Sequence, residues 1–220
     1  MFRSNSFNIN RSLYFEHLSR VRSMDNIKIN ASDIRMSSVV KEVDVKEAER
    51  AIAKIMNETM VKKEWEISSC DMSQPNCNVR LYSSYENFEY IMEYTKRYYA
   101  LKENQKNDFL FFILYFQGIP MGASLLELNT GMEGSEIISL VTHCAARGFG
   151  FLLIEFALNK LLQLGMNSRL KLEPVFGSIP AYTKMGFETS GGNGTYYYLD
   201  PAKRGDKWQF INGCYQYRVC

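Results

Sequence analysis

The residues best suited to chemistry gather in Thr142-His143-Cys144-Ala145-Ala146-Arg147-Gly148-Phe149-Gly150, a run that ends an apolar strand pattern and opens an apolar helical one. Glycines let the backbone turn tightly and approach a ligand closely. The first N–H groups of a helix lack intrahelical acceptors, and its dipole places about half a positive charge there, so a phosphate or pyrophosphate is the natural guest. Two familiar phosphate devices do not fit. The run lacks the ending of G-x-x-x-x-G-K-S/T, and Leu153 stands where the last glycine of G-x-G-x-x-G belongs. His143 and Cys144 look like a nucleophilic pair, but neighbours on a strand point to opposite faces and should not meet. The five cysteines (Cys70, Cys77, Cys144, Cys214, Cys220) form no C-x-x-C pair, and the histidines are His17 and His143. That set excludes a structural zinc site and a disulfide framework.

The elements that must position this loop can be read from periodicity. Residues 35–43 suggest a first strand. Asp44 and Glu47 form a D-x-x-E cap for a helix carrying Val45, Ala48, Ile52, Ile55 and Met56 inward. Residues 66–84, with Pro75 and clustered Ser and Asn, read as a loop. A helix over 85–102 follows, with Phe88, Ile91, Met92 and Tyr99 inward. The continuous apolar run at 108–117 marks a strand covered on both faces. Gly118-Ile119-Pro120 turns the chain into a second strand at 121–129, and a strand at 136–142 leads into the glycine loop.

The helix at 151–164 is apolar except for Glu155, Asn159 and Gln163, which predict one narrow solvent-facing stripe, and Gly165 closes it. A strand at 169–173, a short helix at 177–185, and strands at 195–199 and 208–217 complete the chain, the last with a kink at Gly213. The order is β-α-α-β-β-β-α-β-α-β-β, an α/β class.

Size and charge bound the rest. The chain has 220 residues, 46% hydrophobic and 23% charged, which is globular composition. Its 26 basic and 24 acidic side chains leave a net charge of +2, which argues against a dedicated nucleic-acid binder. Residues 1–38 hold six basic and three acidic groups among many Ser and Asn. Residues 1–30 are therefore expected to be a flexible extension ahead of a domain at 31–220. The longest apolar run is far short of the roughly 20 residues that span a bilayer, so no membrane span is expected, and a reducing, cytoplasmic compartment fits the cysteine usage.

Three stretches together resemble the GNAT superfamily of acyl-CoA-dependent N-acyltransferases. Gln117-Gly118-Ile119-Pro120-Met121-Gly122 is similar to that family's hairpin between its second and third strands. Residues 145–150 fall on its Q/R-x-x-G-x-G/A loop, with Ala145 at the usual Gln/Arg position and Arg147 two places on. Ala181-Tyr182-Thr183-Lys184-Met185-Gly186-Phe187 is similar to the family's closing Tyr…Gly-Phe motif, although Val175 stands where Asn is common.

The resemblance covers about residues 35–200 and implies a GNAT-like, mixed, mostly antiparallel sheet flanked by helices. It implies acetyl-CoA as acyl donor and an amine, small molecule or protein, as acceptor, joined by direct attack in a ternary complex, with no metal. The fourth strand would splay from the fifth and admit the pantetheine arm against the backbone of Leu140 and Val141. Pyrophosphate would be held at Ala145, Ala146, Arg147, Gly148, Phe149 and Gly150. Tyr182 would protonate the leaving thiolate. Glu136 is the expected base, with Glu127, Glu173 and His143 as the other candidates, and alternation puts Glu136, Ile138 and Leu140 on one face. The final strand could pair across a homodimer. Ala145 keeps a non-catalytic binding module as the alternative, and the extension keeps an exported effector that acylates a macromolecule.

Overall fold

A computed structural model describes residues 31–60, 76–131, 133–144, 146, 148–189 and 194–218. The extension at 1–30 and the first part of the expected loop at 66–84 lie outside those residues, as do Ala145 and Arg147. The unit that carries the candidate site is Ala31–Cys220.

Its scaffold is a seven-stranded sheet in the order β1-β2-β3-β4-β5-β7-β6, with β1 Ser38–Val43, β2 Phe109–Phe116, β3 Ile119–Glu127, β4 Ser135–Thr142, β5 Leu170–Leu172, β6 Glu188–Thr189 and β7 Tyr197–Leu199. All neighbours pair antiparallel except β4 with β5. The β2–β3 hairpin turns at Gln117 (φ 48°) and Gly118 (φ 82°), the two positive φ values that match the twist of its strands. β2 is apolar at every position because helices cover both faces of the sheet there. On one face lie α2 (Val45–Lys54, continued by a π-helical turn Ile55–Met60) and α3 (Asn76–Tyr98), packed on Phe111, Ile113, Ala123, Leu125 and Val141. On the other lies α5 (Gly150–Gln163), whose Phe156 meets Phe112 edge-on at 5.1 Å. The short helices α1 (Ala31–Ser37), α4 (Glu103–Lys106) and α6 (Ile179–Lys184) complete the set.

Several boundaries differ from expectation. Arg35 is helical, and the first strand begins only at Ser38, where pairing with Phe116 starts. Asp44 caps α2 by accepting the Glu47 N–H at 2.8 Å, but the Glu47 carboxylate accepts from the Tyr115 hydroxyl at 3.1 Å and does not close a reciprocal box. Residues 76–84 are helical, not loop, because no Gly or Pro interrupts them after Pro75. That helix ends at Tyr98, and Tyr99 is exposed; Thr95 takes the inward place, its hydroxyl donating to the Met92 carbonyl at 2.7 Å.

The end of the chain departs most. Asn212 (φ 51°) and Gly213 (φ 79°) make a tight turn where a kinked strand was expected. The result is a separate two-stranded hairpin, β8 Trp208–Ile211 and β9 Cys214–Tyr217. This hairpin also removes the expected solvent stripe on α5. Glu155 accepts from Arg35 and, at 2.8 Å, from the Tyr217 N–H. Asn159 donates to the Tyr215 carbonyl at 2.9 Å and accepts from the Tyr215 N–H at 2.7 Å. Two of the three polar positions thus hold a strand edge, and Gln163 alone is exposed.

Candidate active site

β4 organises the site. It pairs with β5 over only Ser135–Ile137, against Leu170–Leu172, while its pairing with β3 continues to Thr142. Beyond Ile137 the strand therefore keeps one neighbour, and among the described residues no strand lies along its other edge. β5 is short because Pro174 follows two residues after Leu172 and cannot donate to a ladder. The result is a slot opening toward the glycine loop.

At the loop end, Gly148 has φ 80°, and a Cβ placed there would meet nothing within 4 Å among the described residues. The position demands glycine for conformation and leaves open space in front of it. A Cβ on Gly150 would touch only the Leu140 side chain at 3.5 Å. Phe149 is buried and stands edge-on to Phe116 at 5.5 Å, which anchors the start of α5. Among the described residues no side chain caps that helix. The Ala146 N–H already donates to the His143 carbonyl at 2.7 Å, so it is not available to a ligand as expected, and the Phe149 N–H is 3.4 Å from the Ala146 carbonyl. The Gly148 and Gly150 N–H groups have no acceptor among the described residues. A diphosphate fits this uncapped, glycine-fronted terminus.

His143 and Cys144 correct a second expectation. They lie past the end of β4, where strand alternation no longer applies, and Cys144 Sγ is 4.0 Å from His143 Nδ1. His143 is buried.

At the other end of the slot stands a charged cluster. Glu136 is directly across from Glu127 in the β3–β4 register. Lys171 on β5 reaches Glu136 at 3.1 Å and Glu133 at 3.4 Å, with the Tyr196 ring 5.1 Å from its ammonium. Burial works against the Lys171 charge, but the hydrogen bonds and charges of Glu136 and Glu133 outweigh it and hold its pKa above the usual lysine value. Burial raises the Glu127 pKa, and the Glu136 charge raises it further against the opposing pull of Lys171. Tyr94 on α3 is raised by burial and then by Glu127.

The register slips between Leu125 and Leu126, leaving Ile138 as an extra residue on β4. Strict alternation therefore fails. Glu136 lies with Ser139 and Val141 on the α2/α3 face, while Leu140 lies on the α5 face against Gly150. Glu173 is exposed at the end of β5.

Tyr182 sits on α6, its ring edge-on to Phe187 at 5.5 Å, and burial pushes its pKa up to about 12. No hydrogen bond or ion pair joins it to Glu127 or Glu136 among the described residues. Two residues that sequence reasoning passed over matter here. Lys171 is the polar centre of a three-residue apolar strand, a signal in plain view. The Ser139 hydroxyl is buried without a hydrogen-bond partner among the described residues, and no pattern announces it.

The chain is similar to N-acetyltransferases of known structure. PaiA N-acetyltransferase from Thermoplasma acidophilum, in complex with coenzyme A, is 16% identical, covering 74% of this chain and 97% of its own at TM-score 0.45. An acetyltransferase assigned to the GNAT family from Desulfovibrio desulfuricans is 12% identical, covering 74% and 98% at TM-score 0.49. An N-acetyltransferase from Staphylococcus aureus is 17% identical, covering 74% and 97% at TM-score 0.42. No protein-family model and no curated protein matches the sequence. Among the described residues there is no group of three or more His, Cys, Asp or Glu side chains that could hold a metal ion, and no helix is long and apolar enough to cross a membrane.

Proposed function

We propose that this protein is a GNAT-type N-acyltransferase that moves an acetyl group from acetyl-CoA to an amine by direct attack. The observation that carries the reading is the parting of β4 from β5 after Ile137, directly ahead of a glycine-fronted, uncapped helix terminus. A diphosphate at the Gly148 and Gly150 N–H groups, with Phe149 and Arg147 beside them in the chain, leaves an extended arm free to lie along the open edge of β4 at Leu140 and Val141. The thioester then lies toward the Glu127–Glu136 end. There a carboxylate accepts the proton of the incoming ammonium, and Tyr182 donates to the departing sulfur. The acceptor is an amine, and the five irregularly spaced cysteines suit a cytoplasmic setting. Residues 31–220 are the catalytic domain in this reading, and residues 1–30 are an extension to it.

The test is thermal unfolding with and without acetyl-CoA. At about 100 times Kd the ligand adds about 2.7 kcal/mol, which for a chain of this size raises Tm by about 5–11 °C. The shift should vanish in Gly148→Glu, which forces a side chain into a positive-φ position and sets a carboxylate before the helix terminus. A wild-type chain that shows no shift with acetyl-CoA or with longer acyl-CoAs would end the reading.

A further inference from the structure

We propose that Glu127 on β3, and not Glu136, takes the proton from the acceptor amine, with Glu136 and Lys171 as the residues that position and tune it. The inference rests on the acyltransferase reading and divides the labour within its carboxylate pair. Glu136 is committed elsewhere: its Oε2 is 3.1 Å from the Lys171 ammonium, an ion pair that occupies its carboxylate. Glu127 makes no ion pair within 4 Å among the described residues. It is half-buried, and it faces Glu136 across the ladder, where directly opposed side chains have Cβ atoms about 4.5–5.5 Å apart.

The charged and titratable groups around it come from every element packed against it. They are Glu136 on β4, Lys171 on β5, Asp108 ahead of β2, and Tyr94 on α3, which in turn neighbours Tyr90 and Arg97. Burial and the Glu136 anion favour a protonated Glu127, and Lys171 limits that preference. A carboxylate so placed can both accept a proton and release it, as a general base must.

Geometry puts the pair at the working end of the slot. Thr142 lies five residue steps beyond Ile137 on β4, about 16 Å at about 3.3 Å per residue. A donor anchored at the loop and extended along that edge brings its acyl end to the carboxylates. Between them, on the same face as Glu127 and Glu136, lies Ser139, whose buried hydroxyl lacks a partner among the described residues. A buried hydroxyl calls for a hydrogen-bond partner, and in this reading an arm or acceptor laid along β4 supplies one to Ser139.

The proton count closes. The ammonium nitrogen loses one proton to a Glu127 oxygen, and its lone pair then forms the C–N bond as the C–S bond breaks. The nitrogen's second proton leaves to solvent as the amide forms, Glu127 later returns its proton to solvent, and the sulfur receives one from Tyr182, which is refilled from solvent. One proton in net is released.

The experiment compares two probe acceptors with acetyl-CoA on the full chain at pH 7: ethylamine, an ammonium ion needing a base, and hydroxylamine, which is already neutral. Glu127→Gln should lower transfer to ethylamine at least 100-fold while transfer to hydroxylamine changes less than about fivefold. The acid limb of kcat/KM for ethylamine should move in opposite directions in the two positioning variants. It shifts to lower pH in Glu136→Gln, which removes the neighbouring anion, and to higher pH in Lys171→Met, which removes the cation. Near-wild-type ethylamine transfer by Glu127→Gln, equal losses with both acceptors, limbs that do not move, or a wild type that uses hydroxylamine but not ethylamine would each overturn the assignment. If the wild type neither binds acetyl-CoA nor uses either acceptor, the acyltransferase reading itself has failed, which the thermal shift shows separately.

Discussion

A tyrosine with a pKa of about 12 is a donor that seldom lets go. Tyr182 owes that value to burial beside Phe187, so at neutral pH it keeps its proton; in the proposed reaction it would offer a hydrogen bond to the leaving thiolate and give up the proton only as charge develops on sulfur. Tyr182→Phe keeps the ring and removes the donor. Transfer should fall by about 10²–10⁴ while the acetyl-CoA thermal shift persists, a pairing read from kcat beside Tm. Stability supplies a second readout, with a definite sign. The folded state holds this proton more tightly than the unfolded chain does. Stability is therefore unaffected below about pH 10, and is lost as pH rises from there through the folded value of about 12. Denaturant titrations should show the wild type losing more stability than Tyr182→Phe over that interval. An equal loss would place Tyr182 in a less buried setting than the structure gives it.

At the scale of elements, the small β8–β9 hairpin is a brace. Trp208 Nε1 donates to the Met185 carbonyl at 2.8 Å, and the Tyr217 hydroxyl donates to the Lys184 carbonyl at 3.0 Å. These satisfy the last turn of α6, the helix bearing Tyr182. The other side of the hairpin is fastened to α5 through Glu155 and Asn159, so one hairpin is tied both to the helix that follows the glycine loop and to the helix that carries Tyr182. Asn159→Ala strands a carbonyl and an N–H of β9 and should cost about 1–3 kcal/mol, about 2–12 °C in Tm. Gln163→Ala, one turn later and exposed, should change Tm by no more than about 2 °C.

The contrast between those two positions marks the limit of periodicity. A four-residue polar spacing on α5 was plain in the sequence, but whether it meets water or a strand depends on contacts some 60 residues away. Gly165 was legible because its role is local: φ is 68°, and the Met166 N–H reaches the Leu161 carbonyl while the Gly165 N–H reaches that of Leu162. The slip at Ile138 was not legible, since a bulge belongs to a pair of strands and leaves no mark in either one. That slip decides which carboxylates share a face.

For the molecule as a whole, the β-α order and the strand-loop-helix unit at 135–163 could be argued from periodicity and glycine placement, because each local preference there agrees with the global arrangement. The terminal elements could not. α1, β6 and the last hairpin are short, and their identity is settled by what they touch. Arg35 is the clearest case: a residue expected in a strand is held on a helix by Glu155, the Tyr217 carbonyl at 3.0 Å and the Phe151 ring at 4.8 Å.

That same guanidinium has a topological consequence. The segment entering the fold and the segment leaving it are one side chain apart, so the path from residue 35 to residue 217 is nearly a closed ring. A ring can be opened elsewhere. Joining residue 31 to residue 218 by a short Gly/Ser linker and making new termini in the exposed turn at 129–131 should give a circular permutant of residues 31–218 that folds and keeps its acetyl-CoA thermal shift. Loss of the shift in a folded permutant would mean that strain in this turn reaches the slot through β3 and β4. Retention would mean that the order in which the chain visits its elements is separable from the site they build.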